Sequence, residues 1–185
     1  MNIAYIQIHD FSEIDFDDLY ERCRDAIDAD WPKSSTLTSE ERKTNMRALI
    51  ESGMNNEWPG LNPHGPNDTY IVLKFVDLDS GTVMGFASGF LLEGGIFDGR
   101  HSLTAPDENG SRNYIYTTQS QMARKAFHDG IGVTHALNRN IPANGIQHRI
   151  LRNRANSPTG AIEIVEDVDS PTLGPAFRNI LIRYL

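Results

Sequence analysis

The sequence predicts an α/β (α+β) fold, a mixed and mainly antiparallel sheet flanked by helices, in a single domain over residues 1–185. Three observations carry this. Tyr70 to Val76 is almost continuously apolar, β-branched or aromatic, as in a strand buried on both faces. Asp77-Leu78-Asp79-Ser80-Gly81 then supplies turn chemistry, and Thr82 to Leu92 reads as a second strand, which makes a hairpin. Phe16, Leu19, Tyr20, Cys23, Ala26, Ile27 and Trp31 recur at helical spacing. The chain carries 39% apolar and 23% charged residues, ordinary for a globular domain long enough to need no staples.

Taken in order, Ile3, Ile6 and Ile8 alternate with polar neighbours and predict a first strand. Asp10 to Asp15 connects it to the first helix, which Pro32 ends. Thr38 with Glu41 three residues on forms a capping box for a second helix. Met46, Leu49 and Ile50 line its inner face, and it ends near Gly53. Residues 55–68 hold three prolines and two glycines and read as a long loop, with Trp58 inside it and residues 53–68 a candidate lid or contact surface. Gly85 and Gly89 inside the second hairpin strand mark a bulge or a close approach. Residues 93–111 read as loop and Asn113 to Thr118 as a short strand. A helix is expected from about Ser120 to Asn138, with Met122, Ala126, Phe127, Ile131 and Thr134 inward. Ile141 to Gly145 is a connector, and Ile146 to Leu151 a strand. Residues 153–160 are loop, Ala161 to Val168 a strand, Ser170 to Pro175 a turn, and Phe177 to Tyr184 a final strand.

The formal charge of −8 is unevenly spread. Residues 1–111 carry 20 acidic and 8 basic side chains, whereas residues 112–185 carry 5 and 9. An acidic whole argues against nucleic acid as a partner. The local basic stretch at 120–154 (Arg124, Lys125, Arg139, Arg149, Arg152, Arg154) suits a phosphate-bearing small ligand or a mixed solvated surface. No run of about 18 apolar residues exists, so no membrane partner is expected. One cysteine, Cys23, and an N-terminus without a basic stretch fit a cytoplasmic protein. No HExxH, CxxC, GxSxG or Walker A pattern occurs, and His128 and His135, seven apart on the expected helix, are not a zinc motif; no metal is expected.

The element order, and above all the hairpin Tyr70–Leu92 with its Asp-Ser-Gly turn and Thr-Val-Met-Gly-Phe-Ala second strand, resembles the GNAT acetyltransferase superfamily. The resemblance implies acetyl-CoA as co-substrate. Its thioester would lie near the fourth strand, taken as Asn113–Thr118, where that strand splays from the fifth, taken as Ile146–Leu151. The pyrophosphate would rest on amides at the start of the next helix, an anion at a helix N-terminus. The family pattern there is Gln or Arg, two residues, Gly, one residue, Gly or Ala. Gln121-Met122-Ala123-Arg124-Lys125-Ala126 follows it with arginine at the first glycine position, and Phe127 to Gly132 has both glycines behind a Phe. The first placement makes Thr117, Gln121, Arg124, Lys125 and Ala126 the candidate CoA-binding residues. The family also carries a helix after the fifth strand, often with a Tyr that protonates the leaving thiolate; residues 153–160 predict neither.

The implied reaction needs a base for an amine, an oxyanion donor and an acid for the thiolate. Glu93, just past the third strand, is the candidate base. Tyr116, sharing a strand face with Tyr114, is the candidate acid, against the alternative that both pack across strands. As an enzyme the chain would act on a small-molecule or protein amine. A second reading is a non-catalytic assembly component, such as part of a phage particle, with protein partners and a place in the virion. The long irregular loops suit it.

Overall fold

A computed structural model describes residues 1–30, 36–57, 67–156 and 162–185. Trp31, the Pro32 helix stop, Trp58 with most of its Pro-rich loop, and residues 157–161 lie outside the described residues. The chain divides into two compact units, which share the strands β3 (Val83–Leu92) and β4 (Ile96–Thr104) and the helix α3 (Thr118–Gly130).

The first unit holds Tyr70–Ser88, His101–Arg124 and the described part of Met1–Pro63. Its strands run in the order β1-β2-β3-β4, with β1 (Ile3–Ile8) antiparallel to β2 (Thr69–Asp77) from Ile3↔Asp77 to Ile8↔Val72. Helix α1 (Phe16–Asp30) buries Phe16, Leu19, Tyr20 and Cys23 on one face, the stripe its spacing predicts. The Phe16 ring lies 6.1 Å from Phe86 and 5.9 Å from Tyr20. Helix α2 (Ser39–Met54) starts at the expected capping box, where Glu41 N–H donates to Thr38 Oγ1 at 3.2 Å and Thr38 N–H to Glu41 Oε2 at 2.7 Å. Lys43 of α2 meets Asp17 and Glu21 of α1, both at 3.1 Å. Gly85 answers a close approach: a Cβ there would lie 2.2 Å from the Leu103 carbonyl oxygen.

The second unit holds Gly89–Arg100, Lys125–Leu185 and the described part of His64–Thr69. Its strand order is β3-β4-β5-β7-β6, with β5 His135–Pro142, β6 Ile162–Ser170 and β7 Gly174–Tyr184. β4 and β5 are parallel, and β5–β7 and β6–β7 are antiparallel. Ala136, Ile141, Leu151, Ile162, Ile180 and Ile182 form its core, with Ala155 packed against it. Helix α4 (Ile146–Ala155) supplies Leu151 and Ala155, four apart on one face. Its His148 and Arg152 reach Asp167 of β6 at 3.2 and 2.5 Å, and Arg178 of β7 reaches the same carboxylate at 2.7 Å. The fold is thus the expected mixed sheet flanked by helices.

Several elements differ from the expectation. Residues 93–111 contain β4, and its Asp98 is fully buried because arginines partner it, which no hydrophobic pattern announces. Asn113–Tyr116 is a 3-10 turn, not a strand. Helix α3 stops at Gly130 because Gly132 takes φ +75° and turns the chain into β5. Met122, placed inward by the apolar pattern, is 67% exposed; the inner face carries Ser120, Gln121 and His128. His135 opens β5, so it shares no helix face with His128. Ile146–Leu151 is helical, since Leu151 pairs with Ala155 rather than with a cross-strand neighbour. The helix after the fifth strand therefore exists.

Candidate functional site

Two local arrangements are candidates for a site, one in each unit. In the second unit the β4–β5 ladder has three register pairs, Ile96↔His135, Phe97↔Ala136 and Asp98↔Leu137, and ends there. Gly95 starts it: its carbonyl accepts from the Thr134 and His135 N–H groups at 2.9 and 3.2 Å. At its end the Asp98 carboxylate, 0% exposed, accepts from Arg139 Nε at 2.7 Å on Oδ1 and from Arg139 NH2 at 3.0 Å on Oδ2. Arg100 adds a bond to Oδ2 at 2.9 Å, its guanidinium 5.5 Å over the Phe90 ring. The next β5 residue past the last pair, Asn138, holds a buried Nδ2 with no acceptor among the described residues. Beyond it the β5–β7 register shifts, and Asn140 sits at φ +56° with its N–H on Asn179 Oδ1 at 3.0 Å.

In the first unit α3 begins directly after the 3-10 turn. Thr117 caps it, its Oγ1 accepting from Ser120 N–H at 3.2 Å, while Gln121 N–H closes the first helical bond to the Thr117 carbonyl at 3.0 Å. Helix N-termini present N–H groups without intrahelical acceptors, and the macrodipole favours an anion there. Ser120 Oγ and Tyr5 Oη are 3.0 Å apart. Tyr114 is buried, its hydroxyl donating to the Ala105 carbonyl at 2.7 Å, and burial pushes its phenol well above the ordinary tyrosine range.

Of the residues singled out in the sequence, Tyr116, Thr117, Gln121 and Arg124 fall in the first unit, and Glu93, Lys125 and Ala126 in the second. Tyr114 and Tyr116 do not share a strand face: one is buried, the other exposed on a 3-10 turn. Gln121 is buried, the fourth residue of α3, with Nε2 on the Ile115 carbonyl. Lys125 pairs with Asp129 at 2.7 Å along the helix. Ala126 is exposed. Glu93 is exposed in the β3–β4 turn, its N–H on Asp68 Oδ1 at 3.2 Å. Sequence reasoning missed Asp98 and Asn138 and gave Arg139 only as part of the basic stretch; the signal of the first two is a charge and an amide inside short strands. Among the described residues no cluster of His, Cys, Asp and Glu has the makings of a metal site, and no helix is long and apolar enough to cross a membrane.

No family model and no curated protein sequence matches the chain. Solved structures match over its full length. A GCN5-related N-acetyltransferase from Kribbella flavida aligns over 100% of this chain and 98% of its own at 16% identity and TM-score 0.53. The aminoglycoside N-acetyltransferase AAC(6')-Ib11 aligns over 100% and 97% at 13% identity and TM-score 0.56. AAC(6')-Ib in complex with ribostamycin and coenzyme A aligns over 100% and 94% at 12% identity and TM-score 0.57. At such identities the likeness speaks for architecture alone, and the architecture is clear: this chain has the GNAT acetyltransferase fold.

Proposed function

We propose that this protein is an acetyl-CoA-dependent N-acyltransferase acting on a small-molecule amine. One observation carries the reading: the parallel β4–β5 ladder stops at Asp98↔Leu137, and the next β5 residue, Asn138, holds a buried amide donor without an acceptor. A carbonyl-rich pantetheine arm entering where the strands part would satisfy that donor, whose burial otherwise costs about 1–3 kcal/mol. In the first unit, the amides at the start of α3, behind the Thr117 cap, are proposed to hold a pyrophosphate. Arg124 and Lys125, further along the helix, would add positive charge, with Gln121 and Ala126 completing the segment. Coenzyme A in the structural relative AAC(6')-Ib supports the choice of donor.

The proposed chemistry is direct attack of the amine on the thioester. The amine nitrogen attacks the thioester carbon, and a backbone N–H of β4 beyond Asp98 takes the oxyanion. The C–S bond breaks as the carbonyl re-forms. A base takes the proton lost by nitrogen, and the departing CoA thiolate is protonated in turn. Release of CoA thiol, followed with a thiol reagent across a panel of small amines including an aminoglycoside, tests this. Amine-dependent release above hydrolysis supports it; bound acetyl-CoA with no release for any amine overturns the catalytic part.

A further inference from the structure

We propose that Asp98 and Arg139 form a clasp that fixes the point at which β4 and β5 part, which makes Asp98 a positioning residue for the acyl donor. The significance of the parting rests on the acyltransferase reading; the clasp itself rests on geometry. Asp98 is the last residue of β4 in the ladder, and Arg139 lies two positions past its partner Leu137. The guanidinium reaches diagonally back and binds both carboxylate oxygens, at 2.7 and 3.0 Å. Parallel strands held by three register pairs would otherwise fray from this end. A bidentate charge-assisted pair with one wholly buried partner fixes both distance and angle.

Two further features show that the clasp is built in. Arg100, on β4 two residues past Asp98, donates to Oδ2 from its place over Phe90, so the acid is gripped from both strands. Gly89 lets β3 press on the same point, since a Cβ there would lie 2.2 Å from the Asp98 carbonyl oxygen. The backbone of Asp98 is therefore wedged by β3 while its side chain is tied to β5. Burying a carboxylate at the end of a ladder is expensive unless it is paired. Here the pairing doubles as a stop that sets how far the strands run together.

The test uses Asp98→Asn, Arg139→Lys and the double variant Asp98→Asn/Arg139→Gln, read by hydrogen exchange and by kinetics. In Asp98→Asn, amide exchange should rise on the order of tenfold at residues 96–100 and 135–139 and stay unchanged in the β6–β7 ladder. The acetyl-CoA KM should rise on the order of tenfold with the amine KM unchanged, a split that a loss of folded protein would not give. The double variant, which also removes the Arg139 charge that Asp98→Asn leaves without its carboxylate, should recover most of the affinity. If Asp98→Asn does not fold, Arg139→Lys keeps the charge, loses the bidentate geometry and is read the same way. Unchanged exchange in both strands overturns the clasp, as does an acetyl-CoA KM that stays fixed while exchange rises. Should the wild type bind no acetyl-CoA, the acyltransferase reading falls, and the exchange comparison alone decides the clasp.

Discussion

The Tyr114 hydroxyl donates to the carbonyl oxygen of Ala105 at 2.7 Å, tying the turn before α3 to the residue that follows β4. Ala105 is itself held by its N–H on the Met84 carbonyl at 2.8 Å. Tyr114 is thus a structural post in the first unit. Tyr114→Phe should lower stability by about 1 kcal/mol in a urea titration and leave the CoA-release rate per folded molecule unchanged.

Cys23 is 2% exposed on the inner face of α1, and burial pushes its thiol up to about 11. The thiolate is scarce at neutral pH, so native protein should resist iodoacetamide at pH 8. Denatured protein should react completely, which mass spectrometry reads directly.

An added Cβ at Gly85 would lie 2.2 Å from both the Leu103 carbonyl oxygen and the Phe75 ring, and one at Gly89 2.2 Å from the Asp98 carbonyl oxygen. Gly85→Ala and Gly89→Ala should each destabilise by about 1–3 kcal/mol. Gly81, in the open β2–β3 turn at φ +73°, meets no such contact, and Gly81→Ala should cost only about 1 kcal/mol through backbone strain. Thermal melts of the three variants rank them.

The first half of the fold was legible in the sequence because local signals agree with burial. The Thr38–Glu41 box, the Phe16–Cys23 stripe and the Tyr70–Leu92 hairpin each recur in the structure at the expected residues. The second half was not. β4 reads as loop because Gly94, Gly95 and Gly99 punctuate it and its buried Asp98 depends on Arg139, which is 41 residues away. α4 reads as strand because Ile146 and Ile150 are β-branched, though Arg152 and Arg154 in its last turn are a helix C-terminus signal. The misplaced fourth and fifth strands also moved the expected splay, so that Asn138 fell at the end of an expected helix and Arg139 just past it.

Asp167 offers a pH test. Burial raises its pKa, but the hydrogen bonds from Arg178, Arg152 and His148 outweigh burial and hold the carboxyl well below the usual range. Its folded pKa is lower than the unfolded value of about 3.9. The stabilisation is therefore complete above about pH 4 and is lost as pH falls toward the folded pKa. Asp167→Asn should lose about 2 kcal/mol at pH 7 in denaturant melts, and the gap from wild type should narrow below about pH 4.

The most direct test of the acyltransferase reading is calorimetric titration of acetyl-CoA into the wild type and an Arg124→Glu variant. One site per chain, weakened on the order of tenfold by the reversed charge midway along α3, is the expected result. No heat of binding at millimolar acetyl-CoA would contradict it, and would leave a GNAT fold put to non-catalytic use.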